Sequence, residues 1–478
     1  MAKYDNNLIV IGGGAAGLIS ALIASTAGAR VTLIEKGKMG GDCLNSGCIP
    51  SKTLIRSAKV AYYQANSAKY GIESIIPKVS FPSVLRNIER AIAHIAPNDS
   101  FDRYEALGVN CISGEARLID HNHVTVNGET ISARSMVLAT GAQPYMPNIP
   151  GLVEAQPLTS ETIWGLGHLP KRLLVLGAGA VGCEIAQSLA RLGSEVTIVD
   201  VEERLLSYED GDVSETLLAE FKNEGVNALL GYEIRRIRSV NGKSGLAYAE
   251  KKGETIELGF DNIFVATGRQ PSVSGLGLEE IGVEFSEGKL KVDRYLRTSI
   301  KNIFACGDLI GPYQLTHMAS HQAWHATINA LFGWAWKFPI DYSVVPWATF
   351  TDPEVARVGI SETEAKAQGL KVETTKFSFE ELDRAVADSN QSGWVKVLTK
   401  RGSDKIVGVS IVGENAGELL AEYVLAMTHN IGLKKIMGTI HVYPTLSESS
   451  KRLAGVWRGN HAPKKVLRWG AMLQGLLR

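Results

Sequence analysis

The stretch Leu8-Ile9-Val10-Ile11-Gly12-Gly13-Gly14-Ala15-Ala16-Gly17 decides the fold of this 478-residue chain. Four apolar residues in a row read as a buried parallel strand. The glycines at 12, 14 and 17 allow a tight turn. The Ala-rich run behind them predicts a helix whose first turn offers free N–H groups and positive dipole to a phosphate. Val31 to Ile34 reads as the next strand, and Glu35 at its end is placed to accept hydrogen bonds from a ribose 2′-hydroxyl. The plan returns with Leu173-Leu174-Val175-Leu176, then Gly177, Gly179 and Gly182, then Val196 to Val199 ending in Asp200. In each copy the acid follows the last glycine by 18 residues, 17 to 35 and 182 to 200. A single fingerprint can be mimicked by a structural turn, but two with matched acids predict two dinucleotide-binding domains. Val201, Glu202 and Glu203 follow Asp200, so no adjacent arginine receives a 2′-phosphate and NADH is favoured over NADPH. Arg204 is the nearest cation that could argue otherwise.

A second echo organises the chain. Val137-Leu138-Ala139-Thr140-Gly141-Ala142-Gln143-Pro144 matches Val265-Ala266-Thr267-Gly268-Arg269-Gln270-Pro271. Each is a strand, a glycine turn and a proline, which suits a chain crossing between domains. The second dinucleotide domain is therefore expected to be inserted into the first.

The chain is long enough for several domains. Its 50 Lys+Arg balance 50 Asp+Glu, which gives no reason to expect nucleic acid as a partner. Five cysteines are too few, and odd in number, for a secreted disulfide scaffold. The first strand starts too early to leave room for a signal peptide, and no apolar run is long enough to span a bilayer. A cytoplasmic enzyme is expected.

Cys43 and Cys48 lie five positions apart in Gly41-Asp42-Cys43-Leu44-Asn45-Ser46-Gly47-Cys48-Ile49-Pro50-Ser51-Lys52. On an ideal helix they would point about 140° apart, whereas a disulfide needs Cβ atoms about 3.8 Å apart. The segment must be wound irregularly, and Asn45 and Gly47 permit that. Pro50 suits a first helical turn, so Cys48 is expected near a helix N-terminus, where a thiolate is stabilised, with Lys52 adding positive charge. Inert burial and a metal pair are the other readings. No second Cys/His cluster accompanies the pair, which disfavours zinc. A redox pair is favoured. Cys111, Cys183 and Cys306 are expected to be packing residues.

In these motifs the chain resembles the class I pyridine nucleotide–disulfide oxidoreductases, a family that includes dihydrolipoamide dehydrogenases, glutathione reductases and mercuric reductases. The resemblance covers roughly residues 5 to 455. It rests on both glycine fingerprints, the Cys43–Cys48 run, Ala139-Thr140-Gly141, the segment from Thr298-Ser299 through Ile303-Phe304-Ala305 to Gly307-Asp308, and Phe350-Thr351-Asp352-Pro353-Glu354. It implies an α/β architecture of two Rossmann-like domains with a C-terminal α+β dimerisation domain. Residues 1–150 and 271–342 would hold FAD, 151–270 would hold NAD(P), 343–455 would form the dimer interface, and 456–478 would be a tail. Glu35 would bind the adenosine ribose of FAD. Asp308, beside Gly307, would lie at its ribityl and phosphate end, and the run 315–319, with Met318 and Ala319, beside its ring. Thr140, Gly141 and Gly268 fall in the crossing motifs. Lys52 and Glu184 match a pair near the flavin N5 edge. NADH would reduce the flavin and the flavin the Cys43–Cys48 disulfide, leaving Cys48 as the thiolate and Cys43 as the exchange thiol; the relay can also run in reverse.

One position departs from the family. Its active site usually ends in a His-Pro pair with a glutamate four residues after the proline, contributed by the partner subunit. Here the run is His441-Val442-Tyr443-Pro444-Thr445-Leu446-Ser447-Glu448, with Tyr443 where the histidine belongs. Mercuric reductases share that tyrosine, but the run Gln474 to Arg478 lacks their metal-transferring cysteine pair and no metal-binding domain precedes Leu8. If the segment is extended, His441 and Tyr443 share a face, and His441 could restore proton transfer; a purely structural His441 is the other reading. A dithiol or disulfide substrate, lipoyl-protein included, leads on sequence alone. Hg(II) or Cu(II) reduction follows, and a redox sensor without turnover is the reading from another class.

Ser361-Glu362-Thr363-Glu364 has the pattern of a helix start. After Glu448 the chain has no acid, while Lys451, Arg452, Arg458, Lys464, Lys465, Arg468 and Arg478 are basic. Pro463 could open a helix on which Val466, Trp469, Leu473, Leu476 and Leu477 approximate an apolar stripe. Such a tail would lie on an anionic membrane surface or pack on the enzyme and its dimer mate.

Overall fold

The computed structural model describes residues 3–240, 242–286 and 288–477, without the side chains of 464–467. Of the tail residues named above, Arg478 and the side chains of Lys464, Lys465 and Val466 therefore lie outside the described residues. The chain forms two compact units.

The larger unit comprises residues 1–65, 75–203 and 224–341. Strand β1 (Asn6–Ile11) feeds helix α1 (Ala15–Thr26) and returns through strand β2 (Val31–Glu35). β1 lies between β2 and the strand Glu129–Leu138, parallel to both, and Asn110–Ser113 and Ile303–Ala305 extend the parallel set. Leu8, Ile9 and Val10 are wholly buried, as a strand covered on both faces requires. The first half of Glu129–Leu138 pairs antiparallel with His123–Val126.

The second Rossmann-like sheet is again parallel. Arg172–Leu176 lies between Glu195–Asp200 and Asn262–Val265, with Asn227–Leu230 outside. An antiparallel three-stranded sheet of Glu233–Val240, Ser244–Lys251 and Glu254–Phe260 completes this region. The two crossing motifs meet. Ala142–Pro144 and Arg269–Pro271 pair antiparallel, so the chain enters and leaves the inserted sheet through one two-stranded ribbon. The Thr140 hydroxyl donates to the Ser272 carbonyl at 2.7 Å, and Tyr145 N–H donates to Gly268 at 2.9 Å.

The smaller unit holds residues 342–478 with 66–74 and 204–223. Its antiparallel sheet runs Pro346–Thr349, Glu354–Gly359, Ile406–Gly413, Trp394–Lys400, Val372–Ser378. The pattern at Ser361 is a full capping box opening the helix Glu362–Ala367. Residues 204–223 fall within the stretch that the resemblance assigns to the NAD(P) region, yet they group with this sheet. Charge explains it. Lys396 is 1 % exposed and its ammonium reaches Asp210 (3.0 Å), Asp212 (2.8 Å) and Glu362 (3.0 Å). Arg357, also buried, pairs with Glu209 (3.1 Å) and Glu364 (2.8 Å). A buried cation left without its carboxylates is strongly destabilising, so these pairs hold the segment in place.

Candidate active site

The two glycine turns are built alike. Gly12 has φ +109° and Gly177 φ +106°; a Cβ on either would lie 2.3 or 2.4 Å from a carbonyl oxygen, of Ala139 or Ala266. A Cβ on Gly17 would strike the Gly12 carbonyl, and one on Gly182 the Gly177 carbonyl. These four positions exclude any side chain. Gly14 and Gly179 cap their helices, α1 and Ala180–Arg191, without a side-chain acceptor, which leaves the first-turn N–H groups for a ligand. Glu35 accepts from Gly13 N–H and Gly37 N–H, and Asp200 from Ala178 N–H and Glu202 N–H. Each acid is thus oriented at the end of its strand. Both sites fit the pyrophosphate and ribose of a dinucleotide.

The cysteine segment is laid against the first turn. Gly40 N–H donates to the Gly13 carbonyl, and Gly40 and Gly41 take φ +87° and +56°. Helix α2 (Gly41–Asn45) carries Cys43 and stops at Ser46; helix α3 (Cys48–Ala65) starts with Cys48. The Asn45 amide donates to the Met39 and Gly41 carbonyls at 2.9 Å. The irregular winding predicted between the cysteines is therefore a break between two helices. Both thiols are free, and they hydrogen-bond each other.

The two sulfurs are electrostatically unequal. The hydrogen bond from Cys43, the Thr316 hydroxyl at 3.3 Å and the Lys52 charge together outweigh burial and lower the Cys48 thiol to about 6. The same bond to Cys48, with burial, raises Cys43. The pair therefore holds one negative charge, on Cys48, at the N-terminus of α3. One turn along α3, Lys52 pairs with Glu184 at 2.9 Å.

Asp308 is largely buried, which raises its carboxyl. The Arg269 guanidinium lies 3.6 Å from it and also contacts Asp42, next to Cys43, and the Ala142 carbonyl. Gly307 N–H donates to the Gln322 side chain at 2.7 Å. Met318 and Ala319 are buried in the helix Thr316–Phe332. Thr316 and Arg269 are the site residues the motifs did not single out. Arg269 differs from its counterpart Ala142 in the echoed motif, which was its one sequence signal. Cys183 and Cys306 are buried as expected, while Cys111 is only partly so.

In the smaller unit, His441 and Tyr443 have different partners. His441 is tied down, with Nε2 3.0 Å from Glu422 and Nδ1 3.2 Å from the Thr439 carbonyl, its side chain 7 % exposed. Tyr443 is exposed and donates its hydroxyl to Asp383 at 2.9 Å. That bond and the Asp383 charge push its pKa above the usual value. Glu448 pairs with Arg452 at 2.9 Å. The two side chains thus meet two different carboxylates, Glu422 and Asp383.

Residues 6–323 match the model of the pyridine nucleotide-disulphide oxidoreductases, and residues 345–454 match the dimerisation domain of that family. The chain is 34 % identical to a mercuric reductase of Lysinibacillus sphaericus, over 95 % of this chain and 82 % of that protein. It is also 34 % identical to a dihydrolipoyl dehydrogenase of Chlamydia muridarum, over 92 % of this chain and 94 % of that protein. The Cu(II) complex of the HOCl-induced flavoprotein disulfide reductase RclA from Escherichia coli superposes with a TM-score of 0.84 at 26 % identity, covering 95 % of this chain and 99 % of that one. With its paired dinucleotide turns, redox cysteines and dimerisation domain, the chain belongs to the pyridine nucleotide-disulphide oxidoreductases, FAD-dependent flavoenzymes that use a pyridine nucleotide.

Proposed function

We propose that the chain is an NADH-dependent flavoprotein reductase that delivers electrons through Cys43 and Cys48 to a thiophilic metal ion, Cu(II) or Hg(II). The observation that carries this reading is Tyr443, which stands where the family's proton-transferring histidine belongs and already gives its hydroxyl to Asp383. A phenol held above its ordinary range stays protonated at neutral pH and cannot take the proton of an attacking dithiol. His441 faces a different carboxylate, Glu422, at 3.0 Å. An ion bound as the thiolate complex is reduced without that proton transfer. Per NADH oxidised, two Cu(II) become two Cu(I), or one Hg(II) becomes Hg(0), and one proton is released.

FAD, when bound, supplies the two-electron step between nicotinamide and sulfur. The rest is the work of this chain's residues. Cys48 holds the negative charge, Lys52 offsets it, and Glu184 positions Lys52. Cys43 remains the neutral thiol that meets the acceptor. A homodimer would bring the 439–448 segment of a second copy to the same site. Asp200, held by two amides, places negative charge where a 2′-phosphate would bind and so favours NADH. The mercuric reductase relative and the Cu(II) complex of RclA support a metal-ion acceptor.

Dihydrolipoamide oxidation is the second reading, favoured by the match over 94 % of the Chlamydia dihydrolipoyl dehydrogenase. An anaerobic NADH titration followed by an acceptor panel separates the two. The reduced enzyme should show a thiolate–flavin absorption band and discharge into Cu(II) or Hg(II) faster than into lipoamide. Tyr443→His should raise lipoamide turnover by about 10²-fold or more. Fast lipoamide turnover in the unaltered enzyme, unimproved by that substitution, sinks the metal-ion reading. A band that forms and then stalls with every acceptor would mean a redox sensor.

A further inference from the structure

We infer that the helix Lys464–Leu476 is a surface anchor that docks the enzyme on an anionic lipid bilayer. Three observations converge. The first is exposure. Trp469, Met472, Leu473 and Leu476 are 74, 70, 53 and 83 % exposed, and Leu477 beyond the helix end is exposed as well. The second is periodicity. At 100° per residue the positions 469, 472, 473 and 476 form one stripe about 100° wide, with Arg468 at its edge and Gln474 on the far side. A stripe of large apolar residues on an exposed helical face has the form of an in-plane membrane helix.

The third observation is charge, and it selects the partner. Seven of the chain's 50 Lys+Arg and none of its 50 Asp+Glu follow Glu448. Five of the seven lie in the tail 456–478, which thus carries +5, while the remainder of a neutral chain carries −5. An anionic bilayer attracts the tail and repels the body, so the helix would lie flat with the body held off the surface. Thirteen residues of helix span about 20 Å, too short to cross a hydrocarbon core of about 30 Å. No helix among the described residues is long and apolar enough to cross a membrane. The tail would therefore lie on the bilayer, not through it.

Co-sedimentation of the flavin-loaded full chain tests this, against a chain ending at Ala462 that keeps the His461–Glu373 contact. The probes are vesicles of about three parts phosphatidylcholine to one part phosphatidylglycerol, and vesicles of phosphatidylcholine alone. The full chain should pellet with the anionic vesicles only, with a blue shift in tryptophan emission. Binding should weaken between about 0.1 M and about 0.5 M salt. The shortened chain should stay in solution with NADH oxidation intact. Trp469→Glu with Leu473→Glu should cut the partition coefficient about tenfold or more. Equal pelleting of the shortened chain overturns the proposal. So does a full chain that ignores both vesicles. If truncation instead turns a dimer into a monomer in sedimentation velocity, the stripe belongs to the subunit interface and the proposal is wrong.

Discussion

In the first dinucleotide turn, Gly14 faces the Cα of Gly41, and a methyl group on it would sit 3.6 Å away; in the second, Gly179 has no atom within 4 Å. The two turns share their glycines, their positive φ and their acid, but the first carries a roof made by the cysteine segment. Gly40 and Gly41 bring that roof down onto Gly13 and Gly14, and α3 then leaves from it with Cys48 at its head. The second turn has no such cover. The same phosphate-binding module is thus a platform for chemistry in one copy and an open dock in the other. The difference suits a resident cofactor in the first and an exchanging one in the second.

The strongest way to break this comparison is to spoil each turn separately. A Cβ on Gly17 would lie 1.7 Å from the Gly12 oxygen, and one on Gly182 would lie 2.0 Å from the Gly177 oxygen. Both neighbours are backbone and cannot swing away, so each alanine should cost about 3 kcal/mol locally, the upper end of the usual range. Gly17→Ala is expected to purify without flavin, read from its visible absorbance. Gly182→Ala should keep its flavin and lose reduction by NADH. Loss of flavin from both would show that the copies do not divide the work.

The roof is tested next. Gly41→Ala places a Cβ 2.6 Å from the Gly14 Cα at φ +56°. A strain of about 1–3 kcal/mol follows. It should lower the temperature at which flavin fluorescence is released, with NADH affinity unchanged. A shift in NADH affinity alone would contradict the assignment.

A pH titration then reports on what the roof delivers. The Cys48 pKa is lowered, so its anion persists as pH falls from the usual thiol range and is lost as pH passes about 6. The stability it contributes follows the same course, full above the unfolded thiol pKa and lost through about 6. The thiolate–flavin band of the reduced enzyme should fade with that midpoint. Thr316→Val and Lys52→Met should each move the midpoint upward, by about one unit or less. No movement in either variant would remove those residues from the account of the Cys48 charge.

The smallest effect sharpens the contrast most. With nothing within 4 Å, Gly179→Ala should leave thermal stability within about 0.5 kcal/mol. Its new methyl would stand where the coenzyme pyrophosphate approaches, so the KM for NADH should rise several-fold with flavin content unchanged. An unaltered KM would mean that the coenzyme keeps its distance from this turn.

What could be read in advance was local. The turns, the helix break between the cysteines and the capping box at Ser361 depend on φ, on sterics and on side chains a few residues apart. The contacts that were not legible join residues far apart in the chain. Arg269 meets Asp42 across 227 positions, Cys48 meets Thr316 across 268, and Tyr443 meets Asp383 across 60. Asp210 and Asp212, in the 204–223 segment that groups with the smaller unit, meet Lys396 across 186 and 184 positions.

By itself, the sequence determined two strand–glycine–helix units, a redox cysteine pair behind the first, and a missing histidine at Tyr443. Backbone sterics and helix-end electrostatics act over a few residues and leave a readable spacing. The thiolate at Cys48 is expected from its place at a helix start, but only the tertiary structure brought the Thr316 hydroxyl to it, because that contact spans 268 positions. The tertiary structure also decided that His441 turns to Glu422 while Tyr443 turns to Asp383, because in each case the partner carboxylate comes from a distant helix.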